Sequence, residues 1–308
     1  MRTRVLIAGA GALGSVIGAL LSKNAHVTLL GRKWHIDAIN KKGLQITGVR
    51  NFVVNIRAVH DVNLLEKEYD YIFVTVKAYD TENIAIEMKE AGILAKGLVS
   101  FQNGVGNLEV LSQYFADLAI IGAVTTMGAN VIGPGIVECA GIGDTYIGAW
   151  SRCSNAILHD LHTLLTSSAI PAQIVDDIEI KIWEKCAINS CINPLTAIFG
   201  IKNGELLKNK SLLKLMQIVA MEWGEVCRKA GIEIEGQKIF EMAVDTAKRT
   251  AMNRSSMLQD VTMGRKTEID HILAPIIDLG KKHGILTPLC TLLYERIKCM
   301  EEMKNQRK

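Results

Sequence analysis

Gly9-Ala10-Gly11-Ala12-Leu13-Gly14 stands between an apolar run, RVLIAG (4–9), and an apolar helical pattern, ALGSVIGALLSKN (12–24). No other feature of the chain limits its fold so sharply. A GxGxxG alone is common. Here it closes a strand, opens a helix and is followed by a second strand, HVTLLG (26–31), so it lies inside a βαβ unit, the setting in which such glycines hold a dinucleotide. The glycines permit a tight turn, close approach of the backbone to a pyrophosphate, and tight packing of helix on sheet. The first N–H groups of the helix, with its dipole, favour phosphate charge at that point. Glycines that serve only a tight turn are the bland alternative.

Strand patterns continue at LQITG (44–48), FVVNIRAV (52–59), YIFVTVK (71–77), GLVSFQNG (97–104) and LAIIGAVTTMGAN (118–130). GIVECAG (135–141) and TYIGAW (145–150) read as an antiparallel pair, and a helix is expected over 154–168. Strands alternating with helices predict a parallel, doubly wound sheet. Beyond IPAQIVDD (170–177) the pattern changes to long helical periodicities. The expectation is an α/β protein: a Rossmann-type domain over 1–175 and an all-helical domain over 176–308. The charged tail EEMKNQRK (301–308) reads as a solvated helix end.

Composition narrows the partners. With 308 residues, 49% hydrophobic and 22% charged, the chain has room for two domains and a sizeable core. A net charge of +3, with dispersed Lys and Arg, gives no footprint for nucleic acid. The longest apolar runs are broken by Gly and fall short of a membrane span. A strand begins almost at the first residue, which leaves no room for a signal peptide and makes the cytoplasm the default location. Seven cysteines (139, 153, 186, 191, 227, 290, 299) form no CxxC and read as reduced core residues. The histidines form no HExxH, and the close pair His159 and His162 has no carboxylate at ligand spacing, so no metal is expected.

The end of the second strand distinguishes cofactors. An NAD site usually carries an acid there for the ribose 2′-OH. This chain has Gly31-Arg32-Lys33, and Arg can hold a 2′-phosphate through two parallel hydrogen bonds, so NADP is favoured. Lys33 could equally be solvated. Lys77 and Asn103 end two further strands, at the side of a parallel sheet where ligands bind, though each could be an ordinary surface residue.

The helical half carries a second signal. In IWEKCAINSCINPLTA (182–197), Lys185, Asn189 and Asn193 recur every fourth position and so share a helix face among Ile, Trp, Ala and Cys. Buried polar groups are costly unless paired, so either protein partners or a ligand must satisfy them. NRSSMLQD (253–260) places Asn253, Ser255 and Ser256 before an apolar stretch, where Ser can also cap a helix. KTEIDHILAPIIDLGKKHG (266–284) predicts one helix from an N-cap at Thr267 to Gly284, with Glu268 where the helix dipole favours its charge.

Together GAGALG, Arg32, VTVKAYD, QNGVGN, WEKCAINSCINPLTA, NGEL, SSMLQD and TEID resemble the ketopantoate reductase (2-dehydropantoate 2-reductase) family nearly end to end. GAGALG is shared by many dehydrogenases, whereas INPLTA, SSMLQD and TEID in that order are far more specific. The resemblance implies an NADPH-dependent oxidoreductase of pantothenate and coenzyme A synthesis that reduces 2-dehydropantoate to pantoate. It implies that residues 9–14, Arg32, Lys77, Asn103, Gly128 and Glu268 face the cofactor, with Asn103 also touching substrate. Lys185 would donate the proton, and Asn189, Asn193, Asn203, Asn253, Ser255 and Ser256 would hold the substrate. Glu268 beside Lys185 would keep the ammonium charged against burial. Arg254 stands where other members often have an apolar residue. The partner is then a small 2-keto acid, with no nucleic acid or membrane, and a homodimer is left open. Two alternatives remain: a paralogue acting on another branched 2-keto acid, and a nucleotide sensor without turnover.

Overall fold

The computed structural model describes residues 2–305, and the last three residues of the expected helical tail lie outside them. The chain divides into two compact units, one running to Gln102 and resuming over Gly106–Lys181, the other made of Asn103–Val105 and Ile182 onward.

The first unit contains, in order, β1 (Thr3–Ala8), α1 (Ala12–Leu21), β2 (Ala25–Leu30), α2 (Lys33–Lys42), β3 (Leu44–Gly48), β4 (Phe52–Val54) and β5 (Arg57–Val59). There follow β6 (Glu68–Val74), α3 (Thr81–Glu90), β7 (Leu94–Ser100), α4 (Asn107–Tyr114), β8 (Ala119–Thr125) and β9 (Gly128–Gly133). β10 (Ile136–Gly141), β11 (Thr145–Ser151), α5 (Asn155–Ser167) and β12 (Ala172–Ile174) complete it. Eight strands form one sheet in the order β12-β11-β8-β7-β6-β1-β2-β5. From β5 to β8 every pairing is parallel; β11 then runs antiparallel to β8. The central strands are near-continuous apolar runs because both faces are covered, as Ile7, Leu29, Phe73 and Val99 illustrate, all fully buried.

A second, four-stranded sheet, β4-β3-β10-β9, corrects three sequence expectations. FVVNIRAV is two strands on different sheets, β4 pairing with β3 and β5 with β2. The run 118–130 is also two strands. At its break the Thr125 hydroxyl accepts the Met127 N–H at 3.2 Å and the Thr126 N–H turns to the Asp144 carbonyl, so the backbone leaves the large sheet's ladder. GIVECAG and TYIGAW are not paired with each other: β10 pairs with β9 and β3, and β11 with β8 and β12.

The second unit is helical. Its elements are α6 (Ile178–Phe199, beginning on the first unit), α7 (Lys210–Ala230), α8 (Gly236–Arg249), α9 (Ser256–Thr262), α10 (Ile269–Ile272), α11 (Ala274–Lys282) and α12 (Pro288–Asn305). The division falls within α6 rather than at 175 because Ile178 belongs to the sheet core. It fills the space that a Cβ on Gly122 or Gly148 would take. The single helix expected over 267–284 is broken into α10 and α11, since Pro275 has no N–H to continue the ladder. α12 is anchored at its start by Glu222 of α7, whose carboxylate accepts the N–H groups of Leu289 and Cys290 at 2.8 Å each. Trp223, fully buried, meets Trp183 of α6 edge-on at 5.8 Å between ring centroids. The seven cysteines are free thiols. Five are buried, but Cys299 is exposed and Cys153 half-buried, so these two are not core residues. Among the described residues no helix is long and apolar enough to cross a membrane.

Candidate active site

In the first unit, the loop from Gly9 to Gly14 joins β1 to α1. Gly9 adopts φ +121°, and a Cβ on Gly14 would collide with the Gly9 carbonyl oxygen and the Thr75 hydroxyl. Only glycine fits at either place. Thr75 donates to the Gly9 carbonyl at 2.8 Å, and the Gly9 and Ala10 N–H groups both donate to Leu30 of β2, so the loop is pinned to its neighbouring strands. α1 has no side-chain cap and no acid in its first turn. Its leading N–H groups around Ala12, Leu13 and Gly14 therefore suit an anion. Arg32, exposed, stands at the N-cap position of α2 with no side-chain capping bond, while Lys33 is ion-paired with Asp37 at 2.9 Å. Buried His35 accepts the Gly135 N–H at Nδ1 (3.1 Å) and meets the Ser15 hydroxyl at Nε2 (3.3 Å), tying the Arg32 segment to α1. Burial lowers the His35 pKa and keeps the ring neutral. Lys77 follows β6 and Gly128 follows β8, so all these positions lie past carboxyl ends of parallel strands.

In the second unit, α6 presents Lys185 and Asn189, both half-buried, and Asn193, buried. Burial lowers the Lys185 pKa, the Glu268 carboxylate and the Cys186 thiol push it back up, and it settles at about 8. Desolvation outweighs Glu268, so the ammonium lies below its ordinary value, yet with that carboxylate acting on it the group is still mainly charged at neutral pH. Glu268 itself is buried at the N-terminus of α10 and accepts from the Asn103 carboxamide at 3.5 Å. Asn203 is buried, its N–H bonded to the Asn253 carbonyl at 3.0 Å and its amide nitrogen to Thr250 at 2.9 Å. Its Oδ1 is buried without a hydrogen-bond partner among the described residues.

The three polar residues before α9 separate. Asn253 and Ser256 are exposed. Ser255 is buried, accepts the Leu258 N–H at 3.1 Å, and shares a 2.6 Å hydrogen bond with the Thr196 hydroxyl. Its oxygen thus caps α9 and ties it to α6, a structural role that leaves one lone pair for a further donor. Ser256 keeps its hydroxyl accessible.

Two residues that the polar stripe concealed fasten it in place. Cys186 Sγ and Ser190 Oγ, one position on from Lys185 and Asn189, both donate to the Ile272 carbonyl, at 3.3 and 3.2 Å. The His271 carbonyl accepts the Val105 N–H at 3.0 Å. Lys185, Glu268 and Asn103 are therefore held by segments that converge on residues 271–272. The i, i+4 recurrence of small polar side chains beside the Lys/Asn stripe was the available signal.

Comparison with known proteins gives the family of the chain. The family model described as "Ketopantoate reductase PanE/ApbA" matches residues 5–152, and its C-terminal counterpart matches residues 177–301. A 2-dehydropantoate 2-reductase of Archaeoglobus fulgidus is 38% identical over 289 residues, 92% of each chain. Among solved structures, D-mandelate dehydrogenase with NADH and anilino(oxo)acetate superposes with TM-score 0.91 at 26% identity, covering 98% of this chain and 99% of that one. A PanE/ApbA family ketopantoate reductase of Ralstonia eutropha gives TM-score 0.88 at 27% identity with the same coverage.

Proposed function

We propose that this chain, which belongs to the ketopantoate reductase family, reduces 2-dehydropantoate to pantoate with NADPH. The observation that carries the reading is the face of α6 on which Lys185, Asn189 and Asn193 stand, with an ammonium poised near pH 8 and Glu268 acting on it. A helix that needed only to pack would not keep these groups there.

When bound, NADPH supplies the hydride that reaches C2 of the keto acid. The fit of the first unit to that cofactor rests on the Gly9–Gly14 loop, where no side chain can enter, and on the uncapped start of α1. Those residues would hold the pyrophosphate, Arg32 the 2′-phosphate, and Lys77, Gly128 and Asn103 would face the remainder. Lys185 polarises the substrate carbonyl and gives its proton to the oxygen as negative charge develops there. Asn189, Asn193 and Ser256 orient the carboxylate and hydroxyl, Asn253 lies alongside, and the unpartnered Asn203 Oδ1 suits a substrate hydroxyl. Glu268 sustains the charge on Lys185. The seven free thiols suit a reducing compartment, the cytoplasm.

A second reading, reduction of a different 2-keto acid with NADH, is favoured by the likeness to D-mandelate dehydrogenase. The test is consumption of NADPH and of NADH with a panel of 2-keto acids that includes 2-dehydropantoate and an aryl 2-keto acid. The proposal expects the highest kcat/KM for 2-dehydropantoate with NADPH. A higher value for an aryl substrate with NADH would replace it with the second reading.

A further inference from the structure

Glu268 sits at the start of a four-residue helix, a segment too short to hold its own shape. Its neighbours on both sides are gripped by one face of α12. Glu301 accepts the Thr267 N–H at 2.6 Å, directly before Glu268. Two residues after Glu268, the Asp270 carboxylate accepts from the Tyr294 hydroxyl at 2.8 Å and, at both of its oxygens, from the Lys298 ammonium at 3.1 Å. Lys298 also lies 3.7 Å from Glu301, so one ammonium joins the two grips. Tyr294, Lys298 and Glu301 are spaced four and three apart and therefore share a helix face. The Glu301 side chain is only 10% exposed, which makes this more than a solvated surface pair. α12 is itself fixed at its start by Glu222. On the opposite side, Cys186 and Ser190 bind α6 to Ile272.

We infer that Tyr294, Lys298 and Glu301, acting through Asp270 and the Thr267 backbone, are positioning residues that set the Glu268 carboxylate in its place relative to Lys185. The inference rests on the proposed role of Lys185 as proton donor. The groups acting on Lys185 are Glu268 and Cys186; those acting on Asp270 are Tyr294, Lys298 and Lys266. Burial alone would raise the Asp270 carboxyl, but Tyr294 and Lys298 outweigh it and hold it below its ordinary value. Among the described residues, the two groups set against Lys185, Glu268 and Cys186, both lie outside α12. A change on α12 that moves Glu268 away from Lys185 therefore lowers the pKa of the ammonium, whereas one that only exposes Lys185 raises it.

The test is the pH dependence of kcat for Tyr294→Phe, which changes no charge, and for Tyr294→Phe combined with Lys298→Met. Loss of a cation would by charge alone move the basic limb of Lys185 to higher pH; displacement of Glu268 moves it to lower pH. The expected result is a limb at lower pH in both variants, with kcat above the limb reduced roughly three- to tenfold, about half to one pH unit, and KM for the keto acid nearly unchanged. A limb that stays put or moves up, with or without a uniform loss of rate, overturns the inference and leaves α12 a structural support. Lysine Cε resonances in selectively labelled protein, with Lys185 assigned through Lys185→Arg, read the same titration without turnover. If the unmutated protein reduced no keto acid, the proposed function would fail, while the resonance titration would still decide the role of α12.

Discussion

Glu268 and the burial of Lys185 act in opposite directions on one ammonium, and the balance leaves its pKa at about 8. At neutral pH the group stays mainly protonated yet releases its proton more easily than an ordinary lysine, as a general acid working near neutrality must.

Reduction of the keto acid should accordingly be flat below the limb and fall as pH rises through about 8. Glu268→Gln removes the carboxylate charge and should move that limb to lower pH. The pH profile of kcat checks both statements; a Glu268→Gln limb coincident with the parent's would mean that another group titrates.

The same shift bears on stability. The Lys185 pKa is lower in the folded chain than its ordinary value of 10.5, so between about 8 and 10.5 the unfolded chain binds more protons. The group therefore opposes folding below that window, and its penalty is relieved as pH rises through it. Lys185→Met should melt no lower than the parent at pH 7, and any advantage should shrink toward pH 10. Thermal melts across that range give the comparison; a variant that loses stability at pH 7 would show that Glu268 depends on the ammonium more than burial opposes it.

Arg32, exposed at the start of α2, is expected to set the preference for NADPH over NADH. Arg32→Ala should erode that preference about ten- to hundredfold, the equivalent of roughly 1.5–3 kcal/mol for a charge-assisted hydrogen bond. Cofactor titrations on both proteins measure it, and equal affinity for the two cofactors in the parent would assign the 2′-phosphate contact elsewhere.

Adjacent serines should separate by readout. Ser255→Ala removes a helix cap and should lower stability by roughly 1 kcal/mol. Ser256→Ala and Asn193→Ala should leave NADPH binding intact and weaken use of the keto acid. Denaturant unfolding alongside KM gives the contrast; loss of stability in Ser256→Ala with unchanged KM would reverse the two assignments.

Much of this was legible in the chain because the signals are local. The Gly9–Gly14 loop is a contiguous pattern, and the Lys185–Asn189–Asn193 stripe repeats at one helical period. What escaped depends on distant partners or on single breaks in apolar runs. β4 and β5 read as one strand, because Asn55 and Ile56 carry no Gly or Pro to mark the change of sheet. Pro275 was visible, yet the periodicity around it suggested one helix where two form. Ser255 and Ser256 are indistinguishable in sequence, and what tells them apart is three-dimensional: the burial of Ser255, its cap on the Leu258 N–H, and the Thr196 hydroxyl 2.6 Å away. The grip of Glu301 on Thr267 joins residues 34 apart and has no local pattern.

The most direct test of the account is the turnover number of Lys185→Ala with NADPH and 2-dehydropantoate, measured beside the unmutated protein. Hydride arrival makes the carbonyl oxygen an alkoxide, so a cation and proton source beside it acts most strongly in the transition state. The account predicts a kcat lower by at least ~10²-fold, within the ~10²–10⁴ typical of a lost general acid, in a protein that remains folded and still binds NADPH. Near-normal turnover by Lys185→Ala would contradict it, because the proton would then come from another group and the polar face of α6 would not be the site of reduction.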